Sequence, residues 1–282
     1  MNILVCIKQV PDTNDVKIDS KTNNLVREGV PSIINPFDEA GVEAALRLRE
    51  IHGGKITVLS MGPLQAREAL KKCLDMGADE AYLLSDRVLG GADTLATGYI
   101  LSELIRGFDF DLVICGSEAI DGCTGQVGPI IASNLGIPQF TYVSSIELTG
   151  GMVKVTRSVG KYMEHCETKG KVLICVLKNI AVPRKPRETD KEPVVMTAGD
   201  LPSLDLMKVG IDGSPTRVVA IQMSDSRQKS YVTIDDTLSA DERIQMIING
   251  GIEKKEKVEL NRGTAGELAE KIVNYPIVRK YV

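Results

Sequence analysis

Residues 111–136 read DLVICGSEAIDGCTGQVGPIIASNLG, and the order of their parts decides the fold. "DLVICGS" is a short, continuous apolar run, the pattern of a strand buried on both faces. "TGQVGPIIASNLG" reads as a helix that stops at Gly136. Between them lies a loop of small residues, with glycines at 116, 122, 125 and 128 and carboxylates at Glu118 and Asp121. The loop matches neither G-x-G-x-x-G nor G-x-x-x-x-G-K-[ST], so its purpose has to be read from its place in the fold.

The same strand-then-helix unit recurs upstream. "NILVCIK" (2–8), "KITVLSMG" (55–62) and "EAYLLS" (80–85) are short apolar runs. "PFDEAGVEAALRLREIHGG" (36–54) has a proline and acids at its start and Gly53–Gly54 at its end, which predicts a helix. In "PLQAREALKKCLDMGAD" (63–79), Ala66, Ala69, Leu70, Cys73 and Leu74 share one helical face and Gly77 ends it. "DTLATGYILSELIRG" (93–107) is predicted as a helix with Asp93 as N-cap. Buried strands joined by helices imply right-handed crossovers, hence an α/β fold with a doubly wound, mostly parallel sheet.

The pattern changes after residue 138. "FTYVSSIEL", "MVKVTRSV", "KYMEHCET" and "KVLICVL" are separated by short polar or glycine breaks, and are expected as an antiparallel run closing the sheet. "NIAVPRKPRETDKEP" (179–193) carries three prolines and mixed charge, as a linker or a partner-docking loop would. A strand (216–222), a helix (238–250) and a final helix with an extended tail (264–282) are expected beyond it. The expected division is a nucleotide-binding α/β domain at 1–178, the linker or docking loop at 179–193, and a C-terminal segment at 194–282. That last segment would be an arm on another chain or would fold back on its own domain.

Composition narrows the function. The chain has 282 residues, 43% of them hydrophobic and 26% charged, enough for a sizeable core. A net charge of −4, no tryptophan and 4% aromatics argue against nucleic-acid binding. No apolar run reaches the roughly 18 residues of a membrane span, and the start lacks the parts of a signal peptide, so a cytoplasmic protein is expected. Six cysteines without a C-x-x-C pair, with two histidines, argue against a zinc or iron–sulfur site. Cys6, Cys115 and Cys175 lie in apolar runs and are expected as buried, reduced thiols.

In a parallel sheet of this kind, ligands bind beyond the carboxyl ends of the strands. The loops 6–13, 34–39, 60–65, 90–98 and 115–128 reach that rim. Helix-start N–H groups bind phosphate without a lysine. Gly122, Gly125 and Gly128 would admit a pyrophosphate, and Thr94, Thr97 and Thr124 would add hydroxyls. The competing reading is a plain tight turn. Asp121 would accept from a ribose hydroxyl or simply cap the helix. There is no G-x-S-x-G, no H-E-x-x-H and no Cys–His pair; His165 and Cys166 point to opposite faces of a strand. No catalytic side chain is assigned, which leaves the chemistry to a cofactor.

Several stretches resemble one family. "ILVCIKQVPD", "INPFDEAGVEAALRLRE", "VLSMGP", "DMGADEAYLLSD", "DLVICGSEAIDGCTGQVGPIIASNLGIPQ" and "GIDGSPTRVV" resemble the beta subunits of electron transfer flavoproteins. The resemblance implies an adenine-nucleotide-hydrolase-like domain and a C-terminal arm embracing an alpha subunit with its own FAD. It implies FAD in this chain in the bifurcating branch of the family, or AMP in the same pocket in the simple shuttle branch. "GADTLATGYIL", "KQVPDTNDVKID" and "NNLVREGVPSIINPFD" resemble the bifurcating branch. That branch implies NADH as hydride donor at the subunit interface and ferredoxin or flavodoxin as low-potential acceptor. It also implies a flavin dehydrogenase, of acyl-CoA dehydrogenase type or another, as second acceptor. The pocket residues carried over are Cys6, Asn35, Pro36, Phe37, Asp38, Met61 and Gly62. From the loop they are Gly116, Ser117, Ala119, Asp121, Gly122, Thr124, Gly125, Gln126, Val127 and Gly128. Asp93, Thr94 and Thr97 are the flavin-specific additions. Two departures stand out: Cys123 replaces an aspartate common in bifurcating relatives, and "AVPRKPRET" does not match the usual docking loop with its apolar plug.

Overall fold

The computed structural model describes residues 1–12, 17–18, 25–26, 31–216, 239, 241, 244 and 263–274. The chain divides into a unit Met1–Gln222 and a unit Met223–Val282.

The first unit is built on one sheet. Its parallel strands are β1 (Asn2–Cys6), β6 (Lys55–Met61), β7 (Glu80–Leu84), β8 (Leu112–Gly116), β12 (Val172–Val176) and β13 (Val194–Met196). Strand β10 (Met152–Val159) is antiparallel to both its neighbours, β9 (Gln139–Thr149) and β11 (Tyr162–Lys169). The order across the sheet is β11-β10-β9-β12-β8-β1-β6-β7-β13. The chain lays strands outward from β1 in one direction and then, with β8, in the other. The switch point is therefore between β1 and β8. Short strands β2 (Gln9–Pro11) and β5 (Ser32–Ile34) pair off the main sheet, as do β3 (Lys17–Ile18) and β4 (Leu25–Val26).

Alternation along each strand sorts the core into two layers. Ile3, Val5, Ile56, Val58 and Ile114 pack with Val42 and Leu46 of α1 (Pro36–His52) and Leu70 and Leu74 of α2 (Arg67–Met76). Leu4, Cys6, Leu59, Val113 and Cys115 face the other way, onto Ile100 and Leu104 of α3 (Thr94–Arg106) and Ile131 of α4 (Val127–Leu135). Both faces of the sheet are covered, which is why the central strands read as unbroken apolar runs.

One expected element is placed differently. β12 is not part of the antiparallel run: it pairs parallel with both β8 and β9, between them. All of its residues are buried, and a strand buried on both faces has no alternating pattern to mark its direction.

The segment 179–193 lies along α1 and α2 rather than hanging free. Arg184 pairs with Glu43 at 2.8 Å and Glu50 at 2.6 Å, Arg187 N donates to Asp75 O at 2.7 Å, and Thr189 N donates to the Asp75 carboxylate at 2.9 Å. Beyond it, β13 extends the sheet at the β7 edge, and Ala198, Leu201 and Val209 are buried in the α3–α4 layer. The compact unit thus takes in residues well past 178.

The expected strand at 216–222 and helix at 238–250 fall almost wholly outside the described residues, as does the tail after residue 274. In the second unit a helix spans Ala265–Val273, opened by a capping box in which Thr264 and Glu267 satisfy each other's main-chain N–H groups. Among the described residues no helix is long and apolar enough to cross a membrane.

Candidate functional site at the switch point

The carboxyl ends of β1 and β8 carry the site. Asp38, on the first turn of α1, fastens both. One carboxylate oxygen accepts from Lys8 N at 2.8 Å, and the other accepts from Gly116 N at 3.0 Å. Burial raises its pKa to about 7, although the Lys8 and Gly116 N–H donors, the Asn35 side chain and the Lys8 charge all pull it down. Asn35 sits at the N-cap position of α1, but its amide caps nothing there. It reaches across instead: Nδ2 donates to Glu118 O at 2.8 Å and Oδ1 accepts from Ile120 N at 3.2 Å. Pro36 starts the helix at no hydrogen-bond cost. A Cβ at Gly116 would run into the Asp38 carboxylate and Phe37, so only glycine lets β8 end this close to α1.

The loop that follows is open. Ser117 is buried and its N donates to Val176 O at 2.9 Å. Ala119 O accepts from Cys123 N at 2.8 Å, closing a turn in which Cys123 has φ 50°. That left-handed backbone is one that aspartate or asparagine adopts more readily than cysteine. Asp121 does not cap α4; it takes Lys8 Nζ on both oxygens at 2.7 Å, bridging the two sides of the crevice. Gly122 and Thr124 are exposed, and nothing in the protein crowds Gly122.

The start of α4 has no side-chain cap. The main-chain N–H groups of Thr124, Gly125, Gln126, Val127 and Gly128 have no partner among the described residues. A run of free N–H groups opening a helix carries partial positive charge, which suits an anion. A Cβ at Gly128 would collide with Cys175 Sγ, so glycine sets α4 down directly on the sheet. Beneath it Cys6, Cys115 and Cys175 stand in register on adjacent strands, all buried. Burial pushes the Cys175 thiol up to about 12, and Cys115 is held well above its ordinary value by its bond to Cys6 and by burial. They are inert thiols packed under the loop.

α3 presents a contrasting end. Asp93 Oδ1 accepts from Leu95 N and Ala96 N, both at 3.0 Å, and Oδ2 takes Thr216 N at 3.1 Å and Thr216 Oγ1 at 2.7 Å. Both oxygens are occupied, so Asp93 holds the helix start and the 210–216 segment rather than standing free. Thr94 points to the loop, its Oγ1 donating to Gln126 Oε1 at 2.9 Å. The two helix starts are neighbours because Gly98 admits Ile130: a Cβ there would clash with that side chain. Thr97 lies one turn in, its N bonded to Asp93 O at 2.9 Å. Met61 and Gly62 end β6 on the same edge, on the far side of β1, and Gly62 N donates to Leu84 O at 3.1 Å.

Sequence reasoning passed over Lys8 and the polar contacts of Thr216, neither of which lies in a glycine-rich or helix-start pattern. It also passed over Tyr142, whose phenol oxygen lies 4.0 Å from where a Cβ of Gly125 would stand. An alternative hollow of about 340 Å³ on the β9–β11 face includes Glu147, Lys154, His165 and Glu167, but His165 is bonded to Thr156 at 3.1 Å and the surface is open. Among the described residues no group of His, Cys, Asp and Glu is placed to hold a metal.

The rim thus brings together uncapped helix N–H groups, hydroxyls and a lysine. A family model described as the electron transfer flavoprotein domain matches residues 22–200. "Electron transfer flavoprotein subunit beta" of Thermoanaerobacterium thermosaccharolyticum is 53% identical over 227 residues, covering 78% of this chain and 87% of that protein. The protein of the same name from Clostridium acetobutylicum is 48% identical over 224 residues, covering 77% and 86%. "Caffeyl-CoA reductase-Etf complex subunit CarD" of Acetobacterium woodii is 44% identical over 225 residues, covering 77% and 86%. On a doubly wound sheet, and with matches of this extent, the chain belongs to the electron transfer flavoprotein family, of the beta-subunit type.

Proposed function

We propose that this chain pairs with an electron transfer flavoprotein alpha subunit and holds FAD at the β1–β8 switch point. The observation that carries the reading is the uncapped run of N–H groups from Thr124 to Gly128, with Thr94 and Gln126 beside it. Gly122, with nothing of the protein near it, leaves main chain open for a nucleotide to approach, and the buried Asp38 keeps both walls in place. When bound, the flavin would supply the redox chemistry: hydride accepted from NADH, one electron to ferredoxin or flavodoxin, the other through the alpha-subunit FAD to a flavin dehydrogenase.

The chain's own residues bind and orient. The α4 N–H groups receive phosphate oxygens, and the Lys8–Asp121 bridge opens to a ribose or phosphate. Asn35 and Asp38 tie the ends of the two loops together. The relative named for a caffeyl-CoA reductase complex supports a dehydrogenase-type partner. The other occupant of such a pocket is AMP, in a simple electron shuttle.

The test is a count of cofactors in the heterodimer produced with its alpha subunit. The expected result is about two FAD per heterodimer and no AMP. One FAD with one AMP would replace bifurcation by the shuttle reading, and no nucleotide in this chain would remove both.

A further inference from the structure

Tyr142 is held in an uncommon backbone conformation. Its φ is 56°, in the left-handed region that aromatic residues rarely occupy. It lies in a β-bulge: β12 pairs Ile174 with Phe140 and Val176 with Val143, so Thr141 and Tyr142 together stand against the single residue Cys175. Cys175 is the residue whose Sγ packs against Gly128 at the start of α4. The bulge therefore sits beside the uncapped helix end.

The ring gains little from burial, being 49% exposed. Its hydroxyl has no hydrogen-bond partner among the described residues, yet it is aimed at the Gly125 turn, 4.0 Å from where a Cβ would be. Bulges recur next to binding sites, where they re-aim a side chain, and backbone strain persists where function uses it. An exposed ring would otherwise relax to an unstrained strand conformation.

We propose that Tyr142 is a ligand-contacting residue of the switch-point site: its phenol O–H donates to an anionic phosphate oxygen of a nucleotide held by the Gly125 turn and the start of α4. The proposal rests on the nucleotide reading above. It adds a side-chain donor to the main-chain N–H groups of the same site.

The test uses the heterodimer stripped of nucleotide, with ADP and AMP as probes in calorimetric titration and FAD retention measured on isolation. Tyr142→Phe, which removes only the hydroxyl, is expected to weaken ADP binding about tenfold, the loss of one charge-assisted hydrogen bond. Tyr142→Gly is expected to weaken it at least as much without lowering the melting temperature, because glycine takes a positive φ without strain. A purely structural tyrosine would show the opposite for the glycine variant. Unchanged ADP affinity in Tyr142→Phe overturns the proposal, as does a subunit-assembly defect without a binding defect, which would make the ring a subunit contact. A wild-type heterodimer that binds none of the probes overturns the nucleotide reading and this one with it.

Discussion

Asp38 is the residue on which the site's two walls meet, and its titration is measurable. Its pKa of about 7 in the fold stands against an ordinary value of 3.8, so the folded chain keeps a proton that the unfolded chain has released. Stability from this group is greatest at low pH, declines as pH rises from about 4 to about 7, and is level above that, with a slope of at most about 1.4 kcal/mol per pH unit. Urea melts at pH 5 and pH 8 should show a larger fall for the wild type than for Asp38→Asn; equal falls would refute this role. The sequence placed Asp38 at the start of a helix, where an acid suits the dipole. It gave no sign that the carboxylate would be buried and would accept from Lys8 and Gly116, because those partners come from distant strand ends. Asp93 teaches the reverse: its N-cap role was legible from local pattern alone, and its second partner, Thr216, was not.

Among the elements, the strap across α1 and α2 has one principal fastening. Glu43 is buried at 3% exposure, and Arg184 and Arg47 both bond to it. Arg184→Ala would leave Glu43 partly uncompensated in a desolvated position, and the expected cost is about 1–3 kcal/mol. Thermal melts should register it, and limited proteolysis should cut within 179–191 sooner than in the wild type. The helices and most strands could be read from the sequence because each carries its own period and its own stops, as α3 does with Asp93 and Gly107. Strand direction and neighbours were harder. β12 has the same unbroken apolar character in either direction, and only the sheet as a whole assigns its place between β8 and β9. The small-residue loop was legible as the rim loop between a buried strand and a helix, while Tyr142 went unread because a bulge leaves no mark in hydrophobic period.

For the first unit as a whole, the strap also presents a surface. Val182 is 80% exposed on a segment otherwise pinned by Arg184, and Ile51 on the adjoining helix is 74% exposed. An apolar tip on a rigid support suits docking to a partner at low entropic cost. If the dehydrogenase proposed above docks here, Val182→Asp is expected to slow electron transfer to it by about tenfold or more while flavin content and melting temperature stay as in the wild type; an unchanged rate would place the docking surface elsewhere. The position of β12 has a different consequence, which concerns the birth of the chain. β8 is complete by residue 116, but the strand that closes its open side runs only to residue 176, after three antiparallel strands have been made. On a ribosome adding about 5–20 residues per second, the bare edge of β8 waits several seconds for its neighbour. During that wait an unpaired apolar edge is a site for mispairing, and the β9–β11 hairpins, which form from local contacts, have to stay clear of it until β12 arrives.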